Sequence, residues 1–188
     1  MYISIIVPTI KTEKEIADLI SEIKKTKSNK SELIVVSSPK SAAKNQNIGL
    51  DKAKGEFIII CGDDIEQFPA GWDDDLIEGL KKTGASMVGP RLLNPDGSLQ
   101  AVKYRNYDLS KEFVQVRTMI TACSAFRNTH LRFDENYMGS GWEDTDFCMQ
   151  LGGTFFVINS VKLHHRNEGK NKLLFKGRNR AYFKSKWK

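Results

Sequence analysis

The sequence predicts an α/β fold: a single domain with a mixed, mostly parallel central sheet flanked by helices, Rossmann-like in its N-terminal half. Two observations carry this. Short apolar runs rich in β-branched side chains recur at residues 3–7, 33–36 and 57–61; they are too short for independent helices and unbroken enough to be strands covered on both faces. Between them lie segments of helical periodicity, and strands alternating with helices imply parallel pairing through right-handed crossovers.

In chain order, Ile3, Ile5, Ile6 and Val7 form the first strand. Thr12 and Glu15 make a capping box for a helix whose Ile16, Leu19, Ile20 and Ile23 share one face. Residues 33–36 form a second strand; Ser37, Ser38 and Pro39 then turn the chain toward Ser41, an N-cap for a helix reaching about residue 54. The third strand is the GEFIIICGDD stretch. Trp72, Leu76 and Leu80 mark a third helix, and Met87 and Val88 a fourth strand. Asn94, Pro95, Asp96 and Gly97 read as a hairpin turn. A strand is expected over 119–126, then the FDENYMGSGWED loop, left mobile by Gly139 and Gly141. A helix over 143–151 stops at Gly152 and Gly153, and strands follow over 155–158 and 162–165.

Composition narrows the class. The chain has 188 residues, 40% of them hydrophobic, enough for one sizeable core. Cys61, Cys123 and Cys148 are odd in number, with no CxxC pair, and read as small buried residues of a reducing cytoplasm. The apolar start lacks a basic leader and meets Pro8, so it is a strand and not a signal peptide. Of the 29 Lys and Arg, eight fall in 170–188, where there is no acid, leaving 21 to face all 23 Asp and Glu. The expected division is therefore a near-neutral body over 1–169 and a basic tail over 170–188.

Parallel strands deliver their carboxyl ends to one edge, where α/β sheets bind ligands. Pro8 and Thr9, Ser37 and Ser38, and Asp63 and Asp64 should share that cleft. The adjacent acids imply a cation, a nearby base, or plain exposure. Glu143 and Asp144 at a helix start are favoured by the macrodipole whatever their function. His164 and His165 are structural histidines or ligands, and Trp142 is packing or a platform.

Taken in order, these pieces resemble a known family. SIIVPT at 4–9, Asn47-x-Gly49 with Ala53-x-Gly55-Glu56, Gly62-Asp63-Asp64, VGPRLLNPDGSLQ, FDENYMGSGWEDTDF and a later histidine are similar to the family 2, GT-A fold glycosyltransferases. VGPRLLNPDGSLQ and the closing RNRAYFKSKW resemble the bacterial branch that includes rhamnosyltransferases. The resemblance implies a GT-A-like domain with a nucleotide-sugar-binding half over 1–90 and an acceptor-binding half over 91–169. It implies an inverting, hexosyltransferase-type enzyme that moves a sugar from a UDP- or dTDP-linked donor to a glycan, lipid-linked or other hydroxyl, with Mn2+ or Mg2+ as cofactor. By the same resemblance Asp64 is the metal ligand, with His164 completing the site and His165 as the register alternative. Asp144 is the general base, and Glu143 holds the acceptor or donor sugar. Pro8, Thr9, Ser37, Lys44, Asn47 and Asp63 lie on the donor side, and Trp142 and Tyr137 stack on a sugar. For Lys44 a solvated helix face is an equal alternative.

Two departures from the family pattern stand out. Gly62 replaces the first acid of the DxD motif, and Ser37, Ser38, Pro39 and Lys40 replace the acids that follow the second strand. The basic tail also admits binding to nucleic acid, or peripheral contact with the inner face of a membrane. The resemblance favours a third role, an element covering the active site, and disfavours nucleic acid. An inactive sugar-nucleotide-binding module is the reading that Gly62 raises.

Overall fold

The apolar runs of the N-terminal half all become strands of one sheet. The computed structural model describes residues 2–100, 108, 110–167 and 172–188. Its elements are β1 (Ile3–Thr9), α1 (Ala17–Thr26), β2 (Ser31–Ser37), α2 (Ala42–Lys52), β3 (Phe57–Cys61), β4 (Ile65–Glu66), α3 (Trp72–Thr83), β5 (Met87–Leu93), β6 (Phe113–Val116), β7 (Cys123–Arg127), α4 (Glu143–Leu151), β8 (Phe155–His165) and α5 (Lys172–Lys186). The strand order is β2-β1-β3-β7-β5-β8-β4, with β6 also paired to β8. β1 runs parallel to β2 and β3, and β5 parallel to β8. β7 lies antiparallel between β3 and β5, and β4 and β6 are antiparallel to β8, which makes the sheet mixed.

Strand alternation explains why these runs are apolar throughout. Ile3, Ile5, Val7, Phe57, Ile59 and Cys61 pack with Leu19 and Ile23 of α1 and Trp72 and Leu76 of α3. Ile6, Ile58 and Ile60 face the other way and pack with Ala43 and Leu50 of α2 and Phe147 of α4. Helices thus cover both faces. α2 lies so close to β1 that a Cβ on Gly49 would meet Ile6 Cγ2 at 2.2 Å, which requires glycine there.

Local signals behave as their chemistry dictates. Glu15 Oε2 accepts from the Thr12 amide at 2.7 Å, although the regular helix begins only at Ala17. Ser41 caps α2 through the Lys44 amide. The 94–97 turn closes with the Asn94 amide on Ser98 O at 2.8 Å, with Gly97 at φ +81°. Two expectations differ from the structure. The strand expected from 119 begins at Cys123, because Met119 turns aside to bond Cys148 Sγ through both its amide and its carbonyl. The segments 155–158 and 162–165 are one strand, and the register irregularity that separates them lies in their pairing to β5, between Pro90 and Arg91. Within the basic tail Lys172–Lys186 form α5, whose Asn179 bonds the chain before α4.

Candidate active site

The two acids after β3 diverge. Asp63 turns toward the end of β1, where Thr9 Oγ1 donates to its Oδ2 and Lys11 Nζ lies 3.7 Å away. The same edge is drawn together by Asn45 of α2, whose Nδ2 donates to the carbonyls of Thr9 and Ser38 at 3.0 Å each. Ser37 Oγ donates to Lys11 O at 2.7 Å, so that hydroxyl proton belongs to the loop. Pro8 is half-buried and Lys44 exposed beside this edge.

Asp64 turns the opposite way, toward β8. Its Oδ2 lies 3.2 Å from His165 Nε2, and both side chains are largely buried. Successive residues of a strand point to opposite faces, so β8 cannot offer both histidines to Asp64. The pairing of Ile65 with His165 brings His165 alongside. His164 pairs with Glu66 and its Nδ1 is buried without a hydrogen-bond partner, so the histidine beside Asp64 is His165, the register alternative.

The Asp64–His165 pair fits a divalent cation. Ligands at right angles around Mg2+ or Mn2+, each about 2.1 Å from the ion, stand about 3 Å apart, close to the observed separation. His165 Nδ1 is engaged by Gln100 Oε1 at 2.6 Å, the outer contact that ligating histidines usually make. Among the described residues no three His, Cys, Asp or Glu converge, so the protein would supply two ligands and leave the remaining positions to substrate oxygens and water. The Cys61 thiol next to this turn is raised by its hydrogen bond with Cys123 and by burial, which makes it an inert core group.

The FDENYMGSGWED segment is held rather than loose. Gly139 O accepts from the Ala42 amide at 2.9 Å, seating the segment on the N-terminus of α2 at the same sheet edge. Asn179 of α5, itself buried, accepts from the Met138 amide and donates to Met138 O and Gly141 O. Asn47 accepts from the Phe133 amide and donates to Phe133 O and Glu135 Oε1. Those three bonds make Asn47 a clamp on this segment.

At the head of α4, Glu143 is buried and Asp144 half-buried, with Asp144 Oδ1 accepting from the Thr145 amide at 2.6 Å. Trp142 precedes them at φ +78°, a left-handed conformation that costs a bulky residue free energy. Its ring lies 5.0 Å from that of Phe183 on α5. Tyr137 is 1% exposed and its hydroxyl donates to Asp146 Oδ1. Asp146, fully buried, also takes Lys186 Nζ at 2.9 Å and Trp187 Nε1 at 2.7 Å. Asp134 takes Lys186 Nζ at 2.7 Å and the Tyr182 hydroxyl at 2.8 Å. Burial pushes the Asp134 carboxyl up, but those bonds outweigh it and hold the group at about 2. Sequence reasoning missed Asp146 and Asn179; the signal was an acid on the inward face of α4, three residues after Glu143.

No protein-family model and no curated protein sequence matches the chain. Solved structures do match. S. aureus TarS 1-349 superposes at a TM-score of 0.63 with 17% identity, over 88% of this chain and 60% of that one. The same fragment in complex with UDP gives 0.65 and 14%, over 87% and 60%. GalNAc-T7 with UDP, GalNAc and Mn2+ gives 0.60 and 13%, over 90% of this chain and 45% of that one. TarS and GalNAc-T7 are both GT-A glycosyltransferases. The chain has the GT-A fold.

In this chain the Gly62-Asp63-Asp64 turn follows β3, and Glu143 and Asp144 open α4. The chain spans about 60% of the TarS fragment and 45% of GalNAc-T7. A Cβ on Gly62 would stand 3.0 Å from Asp64 Oδ1 and 3.2 Å from Ala122 O, so glycine here leaves room for the Asp64 carboxylate. Among the described residues, no helix is long and apolar enough to cross a membrane.

Proposed function

We propose that the chain is a metal-dependent, inverting glycosyltransferase of the hexosyltransferase type that moves a sugar from a UDP- or dTDP-linked donor to an acceptor hydroxyl. The observation that carries this reading is the Asp64–His165 pair, set at the edge of a GT-A sheet where the β-strands deliver Asp63 and Thr9. GalNAc-T7, a structural neighbour, was crystallised with UDP and Mn2+, which supports a nucleotide donor and a divalent ion. The bacterial rhamnosyltransferase-like branch, the division into a donor half over 1–90 and an acceptor half over 91–169, and a cytoplasmic location belong to the same proposal.

Asp64 and His165 would hold Mn2+ or Mg2+, whose charge stabilises the departing diphosphate. Asp63, Thr9, Pro8, Ser37 and Lys44 line the donor side. Asp144 is the general base: its carboxylate takes the proton of the acceptor hydroxyl as that oxygen bonds to the anomeric carbon. The bond from that carbon to the diphosphate oxygen breaks in the same displacement, so one substitution inverts the centre. Glu143 is about 100° from Asp144 around α4 and cannot serve the same atom; it steadies the sugar side of the site. Trp142, half-exposed, lines the acceptor side with Phe183 behind it.

α5 forms the outer wall of that side, and its exposed Leu174, Lys176, Arg180 and Lys184 suit peripheral contact with an anionic membrane carrying a lipid-linked acceptor. A nucleotide-release assay over a panel of sugar nucleotides with Mn2+, Mg2+ or chelator tests the activity. Release of UDP or dTDP that needs the metal is expected; no binding or turnover of any donor with either ion would overturn it.

A further inference from the structure

The turn at 94–97 reads in the sequence as a hairpin, yet the hydrogen bonds of residues 94–100 end on the ring of His165. Asp96 Oδ1 accepts from Ser98 Oγ at 2.6 Å and from the Ser98 amide at 2.9 Å. With its one hydroxyl proton committed to Asp96, Ser98 Oγ accepts from Asn94 Nδ2 at 2.9 Å. That fixes the Asn94 amide with Oδ1 toward Gln100, whose Nε2 donates to Asn94 Oδ1 at 3.1 Å and to His165 O at 3.2 Å. Both Gln100 amide protons are then placed, so Oε1 is the atom facing His165 Nδ1 at 2.6 Å. An amide oxygen only accepts, so Nδ1 carries the hydrogen. Every donor in the series points toward the Asp96 carboxylate, and the series has one polarity.

For a neutral imidazole this leaves the lone pair on Nε2, the atom 3.2 Å from Asp64 Oδ2. Two lone-pair donors facing each other across that distance require something positive between them, either a second ring proton on Nε2 or a cation. Gln100 and His165 are each 6% exposed, so water does not compete for the Nδ1 bond. The Gln100 amide is tied to Leu92 O at 3.0 Å, which anchors its backbone to β5.

We propose that the 94–100 hairpin sets the tautomer of the cation site, with Gln100 as a positioning residue that holds His165 with Nε2 unprotonated toward a divalent ion shared with Asp64. This rests on the reading of Asp64 and His165 as cation ligands. It assigns a role to the NPDGSLQ segment: the turn aims an imidazole by fixing where its hydrogen sits. Outer partners of ligating histidines are worth roughly 10- to 100-fold in metal affinity, which sets the expected effect.

Two readouts test it on the full chain. In metal-free protein, two-bond 1H–15N correlation spectra should show His165 with hydrogen on Nδ1. Gln100→Leu should shift the ring toward the Nε2–H form, and Gln100→Glu, which still offers an acceptor, should restore the Nδ1–H form. Mn2+ alone, titrated by electron paramagnetic resonance, should bind Gln100→Leu roughly 10- to 100-fold more weakly and Gln100→Glu with part of that loss recovered. Asn94→Ala, which loosens Gln100 from one side only, serves if Gln100→Leu fails to fold, and should shift both readouts in the same direction by less. An Nε2–H tautomer in the wild type overturns the proposal. Unchanged tautomer and Mn2+ affinity in both the Gln100→Leu and Asn94→Ala variants overturns the role of Gln100 and leaves Asp64 and His165 as ligands. Wild-type protein with the stated tautomer that takes up no Mn2+ overturns the cation reading itself.

Discussion

His165 Nε2 stands 3.2 Å from Asp64 Oδ2, joining the turn after β3 to the end of β8 across the sheet. The two-residue strand β4 makes this possible, since pairing Ile65 with His165 and Glu66 with His164 sets the register that selects one histidine. His165→Ala should therefore weaken Mn2+-dependent UDP binding on the order of 100-fold, while His164→Ala leaves it within about twofold of wild type. Isothermal titration of UDP with and without Mn2+ measures both. Equal losses in the two variants would contradict the register argument.

Asp64 and Asp144 lie on different elements and should fail in different ways. Asp144→Asn should cut sugar transfer roughly 10²- to 10⁴-fold and leave donor binding near wild type, because a general base acts only as the acceptor proton moves. Asp64→Ala should abolish the metal-dependent part of donor binding. Single-turnover transfer rates set beside donor affinities separate the two effects, and matching losses of donor affinity would refute this division of roles.

The N-terminal half is legible in the sequence because local physics decides it: apolar runs such as 57–61 have no stable alternative to a doubly covered strand, and Ser41 caps α2 by a bond within one turn. The choice between His164 and His165 is not local. It depends on how β8 pairs with β4 and β5, including the irregularity at Pro90 and Arg91. Tyr137 and Asn47 look like ligand contacts by residue type, and only tertiary packing shows that Asp146 and the Phe133 backbone already occupy them. The basic run 170–188 gives no hint by composition that Lys186 and Trp187 meet a buried carboxylate on α4.

Lys186 also pairs with Asp134, and that contact predicts an acid limit to stability. Asp134 has its folded pKa depressed from 3.8 to about 2, so it contributes stability that is present above its unfolded value and is lost as pH falls through the folded one. A shift of this size corresponds to about 2 kcal/mol, lost between about pH 4 and pH 2. Lys186 is opposed by burial, but its bonds to Asp134 and Asp146 raise its pKa; its share is present below the ordinary Lys value and lost as pH rises through the raised one. Lys186→Met should flatten the acid limb and destabilise the protein at neutral pH by on the order of 3 kcal/mol, because Asp146 is left buried without its cation. Urea unfolding across the pH range reads both effects. An acid limb unchanged by the substitution would remove Lys186 as its source.

Gly62 yields a counter-intuitive prediction. An aspartate there would restore the first acid of the DxD pattern and, by charge alone, should attract a cation more strongly. The geometry opposes this: the new Cβ would meet Asp64 Oδ1 at 3.0 Å and Ala122 O at 3.2 Å. The Gly62 amide is also bound to Ala122 O at 2.6 Å, so the backbone has little room to retreat. Asp64 is the group that must give way, and its carboxylate would turn from His165. Gly62→Asp should therefore weaken Mn2+ binding several-fold, and Gly62→Ala, which adds the Cβ without the charge, should weaken it comparably, the crowding costing about 1–3 kcal/mol. Mn2+ titration of the two variants separates the alternatives: tighter binding in Gly62→Asp with weaker binding in Gly62→Ala would mean that charge at this position outweighs the placement of Asp64.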